Sequence, residues 1–217
     1  MGKRQPEDPE IQPDQVWFTQ WPSHAENIFS VSYSEGSADY DQFVRDWQAG
    51  LPLNPDNIPG WLVLRKGRPA PKCDLFAIQA GIMVISERLA DIFRQFNLGP
   101  EPTPEEPRPR RTELHPMPLF SHDERTLIRK VVLLQCSAQR DGFVPEETKR
   151  ADFMGRSWMV SFAGPHEIAI HRSASSGFDF WRDPNLAHTW FCSNPLYQAM
   201  KDAGIAPLAF HPCRMVG

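Results

Sequence analysis

The chain has 217 residues, 41% of them hydrophobic and 23% charged, with a net charge of -4. A chain this long can bury roughly 70% of its unfolded surface, which removes the need for a metal or disulfide staple, and no apolar run reaches the ~18 residues of a membrane span. The mild acidity lacks the basic footprint of a nucleic-acid binder, while 22 prolines predict many stiff connections.

Residues 1–14 carry Lys3, Arg4, Glu7, Asp8, Glu10 and three prolines, too little apolar surface to offset the entropy of ordering. A flexible tail over 1–14 and one α+β domain over 15–217 are expected. Met1–Glu10 has no apolar core for a signal peptide, which points to a cytoplasmic protein. Order begins at Val16-Trp17-Phe18, and Ile28–Tyr33 alternates apolar and polar residues as a half-buried strand does.

Three short amphipathic helices follow. Tyr40, Phe43, Val44 and Trp47 sit at i, i+3, i+4 and i+7, between a Ser37 N-cap and a Gly50 stop. Leu89, Ile92, Phe93 and Phe96 repeat the spacing behind Ser86. Leu196, Ala199, Met200 and Ala203 repeat it again between Ser193 and Gly204. Such stripes pack a core, and helices this short persist only through that packing.

The second and third helices share a longer pattern. Ile82-Met83-Val84-Ile85-Ser86-Glu87-Arg88-Leu89 and Thr189-Trp190-Phe191-Cys192-Ser193-Asn194-Pro195-Leu196 each run from a buried-type strand into a Ser-capped helix. Each helix is followed by an apolar residue and a proline, then by a further strand (Leu114–Leu119 and Leu208–His211). An old duplication and two uses of one strand-to-helix turn both give this pattern.

Between the copies, Pro100–Pro118 holds seven prolines with Arg108, Arg110 and Arg111. Prolines remove amide donors and fix φ, so a stiff surface loop is expected there, with no helix or central strand. Leu127–Cys136 contains Val131-Val132-Leu133-Leu134, a run suited to a strand buried on both faces. Glu146–Arg150 reads as a charged insert. Trp158–Phe162 and Glu167–His171 flank Ala163-Gly164-Pro165-His166, a hairpin-like connection. The predicted fold is α+β, a mixed, mostly antiparallel sheet with a few short packed helices and two similar strand–helix–strand units.

The familiar catalytic motifs are missing: no glycine-rich phosphate loop, no G-x-S-x-G, no H-E-x-x-H. Cys73, Cys136, Cys192 and Cys213 have no C-x-x-C spacing and read as buried or half-buried thiols in a reducing compartment. His188, Cys192, His211 and Cys213 could together hold zinc only if the fold gathers all four. Asp179 and Asp183 could form an acid–base pair, but their spacing around Trp181 and Arg182 reads as the end of a strand at a turn.

The C-terminal third, Gly177-Phe178-Asp179-Phe180-Trp181-Arg182-Asp183-Pro184, then His188–Ser193, Ala203-Gly204-Ile205 and Phe210-His211-Pro212, resembles the end of the immunity-protein-eleven family of bacterial polymorphic toxin systems. Val84-Ile85-Ser86-Glu87-Arg88-Leu89 is similar to that family's internal helix start, and Asp141-Gly142-Phe143 sits where such proteins enter a variable segment. The resemblance spans about residues 60–217. Cys192 departs from it, and the proline–arginine loop reads as an insertion. It implies a non-catalytic protein, without cofactor or metal, that binds and neutralises the C-terminal domain of a toxin in the cytoplasm. Tight neutralisation relies on aromatic and arginine anchors, and the candidates outside the helix stripes are Trp21, Arg108, Arg110, Trp181 and Arg182. Two other readings are a metal- or thiol-dependent hydrolase near Cys192, His188 and His211, and a scaffold that recruits partners through Pro100–Pro118.

Overall fold

The structure, a computed structural model, describes residues 12–20, 31–33, 40–78, 81–106, 110–160, 163–205 and 210–217. Its elements run β1 (Val16–Gln20), β2 (Val31–Tyr33), α1 (Tyr40–Ala49), β3 (Leu62–Leu64), β4 (Leu75–Ala77), β5 (Met83–Ser86), α2 (Glu87–Phe93), β6 (Thr112–Phe120) and β7 (Leu127–Cys136). The chain continues with β8 (Ala151–Phe153), β9 (Trp158–Val160), β10 (Ala169–His171), β11 (Phe180–Trp181), β12 (Thr189–Ser193), α3 (Asn194–Asp202), β13 (Phe210–Pro212) and β14 (Arg214–Val216). The expected starts of the second strand (28–30) and the last repeat strand (208–209), and Ser37, lie outside the described residues.

One sheet has the order β2-β3-β6-β7-β5-β4 and another β11-β12-β1-β13; β8 pairs with β9, and β10 with β14. Only β3–β6 and β10–β14 are parallel among the described pairs, so the class is α+β. Residues on β1 alternate between two cores, as the two-residue period of a strand requires. Trp17 joins the larger core with the six-stranded sheet and the helices, while Val16 and Phe18 join a smaller one with Phe143, Ile168 and Ile170. The four-stranded sheet is thus covered on both faces. Val131–Cys136 of β7 is buried throughout, as the apolar run Val131–Leu134 predicts, whereas Leu127 and Lys130 at its start are exposed.

The proline-rich segment departs from expectation. Residues 101–106 and Arg110 are exposed, but Thr112–Phe120 is an interior strand of the six-stranded sheet. The Thr112 N–H turns away from β7, to the Leu98 carbonyl (2.7 Å), while the Arg111 carbonyl accepts from Ser137 N–H on the β7 side. Backbone direction alternates along a strand, so Pro116 and Pro118 share the orientation of Thr112, and neither removes a donor from the β6–β7 ladder. On their other flank β3 pairs only with Leu119 and Phe120. Two prolines at even spacing therefore fit a strand whose other side is largely free of partners.

The expected hairpin through Ala163–His166 is also corrected. β9 pairs with β8, from the segment read as lying beyond a charged insert, and β10 pairs with the C-terminal β14. Of the segment expected as a tail, residues 1–11 lie outside the described residues, and 12–14 are described. Arg172 binds Asp14 (2.5 Å) and the Gln12 side chain (2.9 Å), which ties residues 12–14 to the body. α2 is shorter than its apolar stripe, because Gln95 and Phe96 bond back three residues to Ile92 and Phe93.

The two strand–helix units match in detail. Ser86 Oγ accepts from Leu89 N–H (3.1 Å) and donates to Asp74 Oδ1 (2.6 Å), while Ser86 N–H donates to the Asp74 carbonyl (2.9 Å). Ser193 makes the same three contacts, accepting from Leu196 N–H (3.3 Å) and donating to the Asp179 side chain and to its carbonyl (3.0 Å). The registers agree: Leu75 faces Ile85 as Phe180 faces Cys192. Five residues before each serine the chain turns left-handed, at Gly81 (φ +78°) and at His188 (φ +52°). α2 and α3 then pack against each other.

Candidate functional site

A cleft of about 220 Å³ opens where these units meet α1. The connections preceding β5 and β12 both reach it, one with Gly81 and the other with Arg182, Pro184 and Leu186–His188. Trp47 of α1 and Trp190 of β12 supply aromatic wall, and Gln135 and Cys136 of β7 line the depth. Among the described residues that line it there is no aspartate or glutamate, so Arg182 sets its sign.

Arg182 is positioned by the end of α1. Its Nη1 lies 3.5 Å from the Gln48 carbonyl, at the helix C-terminus where carbonyl dipoles favour a cation. Gly50 permits this approach. A Cβ there would stand 2.5 Å from Arg182 Nη1, and the residue adopts φ +64°. The backbone of Arg182 is fixed independently, by Arg182 N–H to Ala138 O (3.0 Å) and Arg140 N–H to Arg182 O (3.1 Å). No carboxylate pairs with Arg182 among the described residues.

His188 stands at the rim. Burial, and then the charge of Arg182, push its imidazole below the ordinary value, so it serves the cleft as a neutral group near pH 7. Cys136 is 4% exposed. Burial pushes its thiol up to about 12, against the smaller opposing effects of the Thr112 hydroxyl and Arg182. A thiol held protonated in this way is no nucleophile at neutral pH.

The proposed anchors fare differently. Trp21 and Arg108 lie outside the described residues. Trp181 is corrected: it is fully buried in the smaller core and stacks on Phe191 (6.0 Å between ring centroids), so it offers no surface to a partner. Arg110 is exposed and donates to the Gln139 side chain, and Gln139 forms a backbone bridge with Arg182. The structure thus brings Arg110 and Arg182 into one neighbourhood. The tryptophans beside Arg182 are instead Trp47, which sequence reading assigned to a core stripe, and Trp190, which it placed within a strand.

The groupings considered for chemistry come apart. Cys192 is fully buried and flanks β1 from one side, while His211 flanks it from the other, with its ring 5.7 Å from Phe18. Among the described residues no three or more His, Cys, Asp or Glu side chains gather as a metal site. Asp179 accepts the hydroxyl of the capping Ser193, and Asp183 anchors a loop. The Asp183 carboxylate is 1% exposed and accepts N–H bonds from Gly142, Phe143 and Asn185, each at 2.8 Å.

A second groove of about 450 Å³ runs beside β6 between Arg94, Glu101 and Arg111. His115 Nε2 and Glu113 Oε2 approach to 3.4 Å in it, and Glu101 neutralises Arg111. Its arginines have carboxylate partners, Arg111 in Glu101 and Arg94 in Asp91, unlike Arg182.

Among the described residues no helix is long and apolar enough to cross a membrane. No protein-family model matches the chain, and no curated protein matches it.

Proposed function

We propose that this chain is a non-catalytic immunity protein that binds and neutralises a bacterial toxin domain in the cytoplasm of the cell that makes both. The observation that carries the reading is the cleft. An arginine without a carboxylate partner among the described residues lines it together with the exposed edges of two otherwise buried tryptophans, and is held by a helix terminus beside a glycine. This is the composition of an interface anchor, in which a guanidinium and aromatic faces receive an acidic side chain of a partner. The resemblance of the paired strand–Ser–helix segments to immunity proteins adds to it. The thiols that could argue for hydrolysis, Cys136, Cys192 and Cys213, are buried with their pKa values raised.

The test is titration of this chain against the activity of the C-terminal domain encoded by the neighbouring toxin gene. Inhibition complete at a one-to-one ratio is expected. Arg182→Ala is expected to weaken binding by about 30-fold or more, the scale of an interface hot spot, with little change in melting temperature. A chain that neither binds nor inhibits that domain overturns the reading.

A further inference from the structure

The β8–β9 hairpin is a second feature of the same surface. Three residue pairs join its strands, Ala151 with Val160, Asp152 with Met159 and Phe153 with Trp158. The tip is closed by Met154 N–H to Ser157 O (2.9 Å), and Gly155 takes φ +77°. Phe153 and Met154 are 58% and 62% exposed, the most exposed large apolar side chains among the described residues. Isolated apolar residues on a surface need no explanation, but adjacent ones at a protruding turn form a patch.

The finger is held rigidly. The Phe153 ring packs on Trp158 (5.4 Å), and Trp158 packs on Phe143 of the smaller core (6.4 Å). Trp158 N–H donates to Asn185 O (2.7 Å) and its carbonyl accepts from Ala187 N–H (2.9 Å). Those bonds join the hairpin to the connection that leads into His188, and Ser157 at the tip lines the cleft. Finger and cleft are continuous.

Charge says what covers them. The chain as a whole is acidic, at -4. Yet Arg156 stands exposed at the tip, and among the described residues the adjoining cleft contains Arg182 and no carboxylate; at the base of the hairpin the charges are mixed, with Lys149 lying 3.9 Å from Glu167 and Glu146, Glu147 and Asp152 exposed alongside Arg150. A convex apolar tip beside a concave cationic cleft matches an irregular protein surface better than a planar bilayer.

We propose that the β8–β9 hairpin is a docking finger that seats Phe153 and Met154 in an apolar hollow of a partner protein whose rim carries carboxylates, while Arg182 receives an acidic side chain beside it. This rests on the immunity reading and names the surface that performs it. Preorganisation by the tilted aromatic contacts limits the ordering entropy lost on binding, and the charges of Arg156 and Arg182 raise the association rate.

The experiment measures binding of the neighbouring gene's toxin domain by calorimetry and surface plasmon resonance. The unaltered chain, Phe153→Ser with Met154→Ser, Met154→Lys alone, and Arg156→Glu are compared, with melting temperature as the control for folding. The double variant and Met154→Lys are each expected to weaken binding at least tenfold, and Arg156→Glu to lower the association rate and its salt dependence. If the unaltered chain binds and the tip variants bind within twofold of it, the finger is overturned and the functional reading stands. If the unaltered chain does not bind, both fall. Tip-dependent sedimentation with phosphatidylcholine–phosphatidylserine vesicles, or dimerisation lost in the double variant, would assign the tip to a lipid surface or to a second copy and overturn the proposal.

Discussion

The chain builds the same strand–serine–helix unit twice and gives only one of them a charged connection. In the first unit five residues join β4 to β5, closed by Ile78 N–H to Ile82 O (2.9 Å) and Gly81 N–H to Ile78 O (3.1 Å). In the second, seven residues join β11 to β12, and they include Arg182, Asp183 and His188. The capping serine, its aspartate, the strand register and the left-handed position are common to both. The difference lies in what the added length carries: a cation for the cleft, and a carboxylate that pins Gly142 and Phe143. Scaffold resides in the repeated parts, and binding chemistry in the loop that departs from the repeat.

The units also differ in what they cover. Phe76 and Val84 of the first belong to the larger core. At the matching register in the second, Trp181 and Phe191 belong to the smaller core, while Phe180 and Cys192 belong to the larger. The second unit is therefore the wall between the cores. Trp181→Ala should give the largest effect, a loss of about 4 kcal/mol in denaturant unfolding. A stable Trp181→Ala protein that had lost only toxin binding would return Trp181 to the interface and break the comparison.

Next in size are the two aspartates. Asp74 receives the Ser86 hydroxyl, whereas Asp179 receives the Ser193 hydroxyl and also Asn97 N–H (2.8 Å), just beyond α2. Its own N–H donates to the Asn97 carbonyl (2.7 Å), so Asp179 ties one unit to the other. Asp179→Ala is expected to cost about 3 kcal/mol and Asp74→Ala about 1.5 kcal/mol, as charged hydrogen-bond acceptors of this number would. Equal losses would mean that the tie between the units contributes nothing.

Much of this architecture was legible before the fold was known. The serines, the helix stripes and the buried run of β7 are local patterns, and each reports on its own neighbours in sequence. The aspartates were not legible as partners of the capping serines, because Asp74 meets Ser86 only across a strand pair whose register no local pattern states. Pro116 and Pro118 misled for a similar reason: a proline's cost in a sheet depends on which way its nitrogen faces. β8 was missed because three residues with Asp152 among them carry too little alternation to read. At the site, Arg182 was a candidate by type, while Trp47 and Trp190 were hidden among core residues. A tryptophan that closes a core and walls a cleft has the same sequence signature as one that only closes a core.

Glycine substitutions sharpen the role of Arg182. Gly50 and Gly204 both end helices at φ +64°, but a Cβ at Gly204 would meet nothing nearer than Arg88 Nη2 at 3.9 Å. Gly204→Ala should therefore cost only the left-handed conformation, about 1 kcal/mol. Gly50→Ala should cost about 2 kcal/mol and displace the guanidinium, so toxin binding should weaken as well. Loss of stability without loss of binding would separate Arg182 from the interface.

The smallest effect expected comes from His188, where the second unit sets an imidazole at the left-handed position that glycine fills in the first. Its folded-state pKa lies below that of the unfolded chain, about 6.5. Above that value the ring is neutral in both states and the full stability is present. As pH falls through 6.5 toward the folded value, the unfolded chain takes up a proton that the folded chain does not, so stability declines. The ring stands at a solvent rim, which holds the loss between pH 7.5 and 5.5 to under about 1 kcal/mol. His188→Asn keeps a residue that tolerates positive φ and removes the titration, and the difference in unfolding free energy between the two proteins should shift in favour of the asparagine variant only below about pH 6.5. A difference that is flat with pH would show that Arg182 and the cleft wall do not act on this ring, and that the second connection matches the first in electrostatics as well as in backbone.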